Sequence, residues 1–520
     1  MRILFRGNAE AVIRRQLVRS GYLKAIIGLP ANLFYGTGIP ACIVVLDKEN
    51  ATARKGIFVI DASKGFKKDG PKNRLREQDI HKIVDTFTRL DESDPRYARM
   101  VSVAEIADAK NDYNLNLPRY IDNTEPEDLQ DIDGHLRGGI PDRDLDALGN
   151  YWKIMPDVRS VLFKPLRPNY SQLSILHSQL KETIFSHPEF TAFTTQARKL
   201  FTKWQSASVP LLKGFAQNGP STVLRTSHPK ALIETIAEDL LATFKTAPLL
   251  DAYDVYQHLM DYWAETMQDD CYLIPDAGWK AGAIPREIRQ VKNKEGKLVW
   301  PEKEDFKKGK RRFKSDLVPA ALLIARYFAA ERDAIAALEA ELAGIEQQLD
   351  ETREEQSGEE GLLVEVIEGE GEKQKITTKA VKARLKDIAR NYDEDPDYAE
   401  ERQALEDYST LLDQQTDAKT RLKAAQEDLE AKLDAKYPTL TEDEIKTLVV
   451  DDKWLATIAA AVQGELDRVS QTLTGRIRQL AERYATPLPQ LTDEVAALAA
   501  KVDGHLKQME NGKLIMENAK

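Results

Sequence analysis

The residues best placed to do chemistry sit in one loop of this 520-residue chain, Asn32-Leu33-Phe34-Tyr35-Gly36-Thr37-Gly38, held between two apolar runs. Gly36 and Gly38 allow positive backbone φ, so the loop can turn sharply while Phe34 and Tyr35 project from it as flat faces. Loops at the strand ends of α/β sheets commonly carry function; the plainer reading is a connection whose aromatics cap the sheet. A second candidate is Lys307-Lys308-Gly309-Lys310-Arg311-Arg312-Phe313-Lys314, with cations at Lys307, Lys308, Lys310, Arg311, Arg312 and Lys314 in an otherwise acidic region. Such a run suits contact with a phosphate backbone, each neutralised phosphate adding about 0.9 to the logarithmic salt slope. Its alternative is a solvated linker before the next helix, and Trp300 and Phe313 stand too far apart to form a stacking ladder.

Other reaction chemistries find no foothold. The histidines at 81, 135, 177, 187, 228, 258 and 505 make no His-Glu-x-x-His, and there is no Gly-x-Ser-x-Gly elbow or phosphate loop ending Gly-Lys-Ser/Thr. Cys42 and Cys271 fall in a strand-like and a loop-like context, which gives neither a disulfide scaffold nor a thiolate metal site. The carboxylates of 131–144 lack the alternating ligand spacing of a calcium loop.

The elements that must position the aromatic loop are readable around it. Lys24 to Leu29, closed by Pro30, reads as a strand buried on both faces of a parallel sheet, and Ala41 to Leu46 as a second. A helix over 8–20 precedes them, with Ala11, Val12, Leu17 and Val18 apolar, Glu10, Arg14, Arg15 and Arg19 charged, and Gly21 as its stop. Helix then strand suggests a βαβ crossover. Gly56 to Ile60 reads as a third strand, and Lys48 to Lys55 is short and polar enough to close a hairpin between the second and third, as an antiparallel edge.

The order Ala25-Ile26-Ile27-Gly28-Leu29-Pro30, Asn32-Leu33-Phe34-Tyr35-Gly36-Thr37-Gly38, then Ile43-Val44-Val45-Leu46 resembles the modification subunit of type I restriction-modification systems, an adenine-N6 DNA methyltransferase using S-adenosylmethionine. Leu4-Phe5-Arg6-Gly7, Phe58-Val59-Ile60-Asp61-Ala62-Ser63, Asn73-Arg74-Leu75 and Asp112-Tyr113-Asn114-Leu115-Asn116-Leu117-Pro118-Arg119-Tyr120 extend the resemblance over roughly the first 120 residues. It implies a partial Rossmann-like methyltransferase sheet. It also implies that Asn32, Phe34, Tyr35, Gly36, Thr37 and Gly38 border the pocket receiving the target adenine, where an aromatic face can stack on a base flipped from the duplex. The chain departs from the family in two respects. Neither the glycine-rich cofactor loop nor the Asn/Asp-Pro-Pro-Phe/Tyr segment occurs, so no catalytic or cofactor-binding residue is assigned. Met1 falls where the family's chain is already deep in its catalytic fold, and the expectation is a carboxy-terminal portion, inactive alone, whose first strand has an exposed edge awaiting an amino-terminal half supplied in trans. Implied partners are DNA, a specificity subunit and a restriction subunit. The rival reading is a non-catalytic, DNA-associated coiled-coil scaffold.

Charge divides the chain in the same place. Residues 1–120 hold 21 Lys/Arg against 14 Asp/Glu, or +7, leaving 53 against 71, or −18, for the rest, as expected of one lobe facing phosphate and a tail facing protein or solvent. Residues 121–170 read as a linker rich in Asp, Pro and Gly, with Asp142 to Leu148 starting a short helix; 171–315 as a helical domain, with Leu173, Leu176 and Leu180 on its first core face. Residues 316–520 read as a coiled-coil or helical-bundle region. There Ile324, Phe328, Glu331, Ile335, Leu338, Leu342, Ile345 and Leu349 repeat every 3.5 residues on average, with Glu331 the one defect, and a small hairpin is expected at about 362–377, turning at Gly369 and Gly371. Periodic apolar residues recur to the end, through Leu491, Val495, Leu498, Val502 and Leu506, and whether they pair within the chain or with another subunit is left open. No apolar run approaches the ~20 residues of a membrane span, so the expectation is a cytoplasmic protein without a membrane partner.

Overall fold

The computed structural model describes residues 4–124, 129–216, 228–356, 358, 361–368, 375–392 and 395–518. The expected turn at Gly369 and Gly371 lies outside them. Two compact units share the chain: Met1–Leu212 with Ser221–Gln268 and Thr457–Lys520, and Lys213–Pro220 with Asp269–Ala456.

The first unit is built on a mixed four-stranded sheet. Helix α1 (Asn8–Arg19) leads into β1 (Leu23–Gly28), followed by β2 (Cys42–Leu46), β3 (Gly56–Asp61), the short strands β4 (Lys67–Asp69) and β5 (Lys72–Arg74), α2 (Glu77–Arg89) and β6 (Ala98–Ser102). The sheet order is β2-β1-β3-β6. β1 and β3 run parallel, with Ile26 opposite Val59, while β2 and β6 run antiparallel on either side. Alternation along β1 and β3 feeds two cores: Ile26, Ile57 and Val59 join Val18 of α1 and Leu117 on one face, and Ala25, Ile27, Phe58 and Ile60 join Ile83 of α2 on the other. The end of β1 needs Gly28, because a Cβ there would stand 2.5 Å from the Leu117 side chain.

Three expectations for this lobe are corrected. β2 does not form a hairpin with β3; it pairs with β1, which lies between them. The first strand therefore has no free edge; the edge strands are β2, where Ile43, Val44 and Leu46 are exposed, and β6. The inward face of α1 is also shifted: Val12 and Ile13 are exposed while Arg14 is buried, its Nε donating to the Tyr113 carbonyl at 3.2 Å. A buried guanidinium is tolerable because a distant backbone acceptor satisfies it.

Residues 121–170 are not a plain linker. They carry helices Ile132–Arg137, Asp142–Asp146, Gly149–Trp152 and Pro156–Leu162 and strand Phe163–Arg167, with Trp152, Met155 and Leu162 buried. The turn-forming residues act as caps: the Asp131 carboxylate accepts from Gly134 N–H, and Pro156 opens its helix. Leu173 ends a strand and Leu176 is exposed, so that helical face begins only at Leu180. Helix Ala252–Tyr262 braces α2: Gln257 Oε1 accepts from the Gln78 backbone N–H at 2.9 Å and the Asp254 carboxylate from the Gln78 side-chain amide at 2.9 Å.

The expected 316–520 region is split. Helix Ala456–Arg483 belongs almost wholly to the first unit, where Glu465 pairs with His258 at 2.9 Å and Gln463 accepts from Arg198 at 2.8 Å. In the second unit, helices Ala329–Glu355 and Ala399–Lys436 run antiparallel, joined by Glu331–Lys432, Glu341–Arg421 and Glu346–Lys419 ion pairs. Ile345 and Leu349 share one core with Leu405, Tyr408 and Leu412. The acidic defect at Glu331 is thereby explained, since it holds Lys432 at 2.9 Å. Ile367–Glu368 pairs with Lys375–Ile376 as a minimal ladder. The last helix, Leu488–Asn518, is different: Leu488, Leu491, Val495, Leu498, Val502 and Leu506 are all exposed. No helix among the described residues is long and apolar enough to cross a membrane.

Candidate nucleic-acid interface

The loop after β1 stands at the carboxyl ends of the two parallel strands, the end of an α/β sheet where ligands bind. Leu29 N–H donates to the Ala41 carbonyl at 3.0 Å, closing the base of the loop. Within it Asn32 adopts φ 55°, Gly36 adopts φ 76° with open space where a Cβ would go, and Ile39 N–H donates to Thr37 Oγ1 at 3.1 Å. Only a left-handed residue lets the chain reverse at Gly36, and the reversal leaves Phe34 half exposed and Tyr35 94% exposed. Ring faces this bare do not cap the sheet. Asn32, Phe34, Tyr35, Gly36, Thr37 and Gly38 thus share one loop, with the Asn32 side chain packed 3.0 Å from where a Cβ on Gly38 would lie.

The sequence reading missed the support of this loop. The hairpin β4–β5 is bolted to it: Asn73 N–H donates to the Asn32 carbonyl at 3.0 Å and the Asn73 side-chain amide to the Ala31 carbonyl at 2.7 Å. The Lys72 ammonium donates to the Phe34 carbonyl at 2.7 Å and lies 5.4 Å from the Tyr35 ring centroid. The hairpin thus brings Lys72 beside the Tyr35 ring and carries Lys67, Lys68 and Arg74 along with it, Asp69 standing opposite Lys72. Its sequence signal was Asp69-Gly70-Pro71, a turn flanked by cations.

The 307–314 cluster lies in the second unit, as the strands Phe306–Lys308 and Arg311–Lys314 of a hairpin turning at Gly309, φ 60°. Five of its six cations are partnered, Lys310 at the turn being the exception among the described residues. Lys307 and Arg312 pair with Glu304, Lys308 with Asp434, Arg311 with Glu287 and Lys314 with Glu302. Arg312 also covers the Trp300 ring at 4.2 Å. A phosphate would have to displace these carboxylates.

A polar cleft of about 430 Å³ opens beyond the end of β3, lined among others by Asp61, Lys64, Arg76, Asp79, Lys82 and Tyr253. Its charges already have partners: Arg76 is bidentate on Asp79 at 2.9 Å, and Lys82 sits 4.6 Å from the Tyr97 ring centroid. Asp61, at the end of β3, accepts from Ser63 N–H at 3.0 Å and from the Asn123 amide at 2.6 Å. An acidic group so engaged does not offer the free carboxylate that a strand-end cofactor site uses. The described residues that line this cleft do not fit S-adenosylmethionine.

Comparison with known proteins gives the lobe a class. Residues 1–129 match the family described as N-6 DNA Methylase. Among curated relatives, the lobe is similar to methylase subunits of type I restriction enzymes: MjaVII of Methanocaldococcus jannaschii, 40% identical over 25% of this chain and 22% of that protein, and MpnII of Mycoplasma pneumoniae, 33% identical over 30% and 28%. A solved type I methyltransferase subunit from Streptococcus thermophilus is 39% identical over 24% of this chain and 25% of that one, with a TM-score of 0.22. The chain spans about a quarter of the length of the curated relatives it matches. The resemblance read from the sequence thus holds for the amino-terminal quarter.

Proposed function

We propose that residues 1–124 supply the trailing strands and the target-base loop of a type I restriction-modification DNA methyltransferase acting on adenine N6 with S-adenosylmethionine. The observation that carries this reading is the loop itself: a segment of methylase-like sequence with a 94% exposed tyrosine at the carboxyl ends of parallel strands. Stacking on Tyr35 would hold an extruded base, a contact worth about 1–3 kcal/mol. The cofactor loop and the Pro-Pro segment would come from polypeptide outside these 520 residues. The free, apolar edge of β2 supports that completion, because an edge of this kind pairs readily with an added strand. The exposed apolar stripe of helix Leu488–Asn518 supports a helical partner, which in this reading belongs to the specificity subunit. A restriction subunit would join through that assembly, in the cytoplasm.

The test is methyl transfer to an adenine-containing duplex by this chain together with a polypeptide carrying the two missing segments. Tyr35→Ala should lower the rate roughly 5- to 150-fold, the equivalent of about 1–3 kcal/mol of stacking, without moving the thermal midpoint. Failure of the completed assembly to transfer methyl, or S-adenosylmethionine binding by this chain alone, would refute the proposal.

A further inference from the structure

We infer that the β4–β5 hairpin is a phosphate-backbone clamp for duplex DNA, set beside the aromatic loop. The inference rests on the reading above and deepens it by naming the residues that grip the duplex. Three observations carry it. Among the described residues Lys67, Lys68 and Arg74 are exposed and enter no ion pair, whereas Lys72 is half-buried, donates to the Phe34 carbonyl and stands opposite Asp69 in the ladder. The ladder places Lys67 directly opposite Arg74, and like charges in that position destabilise a hairpin unless an anion sits between them. Finally, Asn73 fixes the hairpin to the loop through the Ala31 and Asn32 carbonyls, so a backbone held by the cations lies within reach of Phe34 and Tyr35. A protein ligand with scattered acids would meet the charge, but the neighbouring bare rings favour a ligand that offers both phosphates and planar bases.

The experiment is a salt titration of duplex DNA binding by the full chain, comparing wild type with the triple variant Lys67→Gln, Lys68→Gln, Arg74→Gln. The salt slope should fall by up to about 2.7, so that the affinity gap between the two proteins narrows by up to about 40-fold from 50 to 200 mM salt. The triple variant Lys307→Gln, Lys308→Gln, Arg311→Gln should keep the wild-type slope. A wild-type slope in the first variant overturns the clamp while leaving methyl transfer by the completed assembly intact. If the wild-type chain and the completed assembly both fail to bind duplex, clamp and proposed function fall together. Circular dichroism guards against misfolding, since the first variant should melt no lower than wild type.

Discussion

Two basic hairpins in this protein, each turning at a glycine, have opposite electrostatics. In β4–β5 Lys67, Lys68 and Arg74 are exposed with no ion-pair partner among the described residues, Lys67 stands across the ladder from Arg74, and the hairpin's one carboxylate, Asp69, stands opposite Lys72. In the 306–314 hairpin, five cations are answered by Glu287, Glu302, Glu304 and Asp434. The second hairpin also has a core: Phe306 is buried and stacks on Phe313 and Tyr437 with centroids 5.5 and 5.4 Å away. A run of Lys and Arg therefore means different things according to what the fold places opposite it. Where carboxylates converge, the charge serves the fold; where they are withheld, it is left for an external anion.

The sharpest way to separate the two is to remove structure from the second. Phe306→Ala should destabilise its unit by about 3–5 kcal/mol, read from urea unfolding, because it empties a stacked aromatic site. Acid comes next. Hydrogen bonds from Arg286, then Lys314, hold the Glu302 carboxyl down at about 2 from an ordinary 4.5. A depressed carboxylate contributes stability that is present above its unfolded value and is lost as pH falls through the folded one, so the loss should run from about pH 4.5 down towards 2. Thermal melts should show that loss in wild type and less of it in Glu302→Gln. The smallest effect belongs to the first hairpin: Lys67→Gln should raise stability by about 0.2–1 kcal/mol at low salt and by less at high salt, as the opposition to Arg74 is relieved and then screened. A melt lowered by Lys67→Gln would show that the cation has a structural partner after all.

Legibility followed the same divide. β1 and β3 were readable because apolar runs closed by Pro30 or flanked by Gly56 admit few other structures, and the aromatic loop was readable from Gly36 and Gly38. The pairing of β2 was not. A short polar connection favours a hairpin with β3, yet the antiparallel partner is β1, reached across the long 29–41 loop. β4 and β5 escaped because three-residue polar, largely exposed strands carry no hydrophobic alternation. The burial of Arg14 depends on Tyr113, 99 residues on, which no local pattern reveals. At the other end, the 3.5-residue seam did announce its helix, but only the fold tells that Ile345 and Leu349 are satisfied within the chain while Leu491 to Leu506 are not.

The double attachment of Asn73 has a consequence for timing. Because its backbone and side-chain nitrogens both hold carbonyls at the start of the aromatic loop, part of the conformational entropy of that loop is surrendered when the protein folds, before any ligand arrives. Phe34 and Tyr35 are then presented by a rigid mount, and encounter with a planar ring carries a smaller ordering penalty than a free loop would impose.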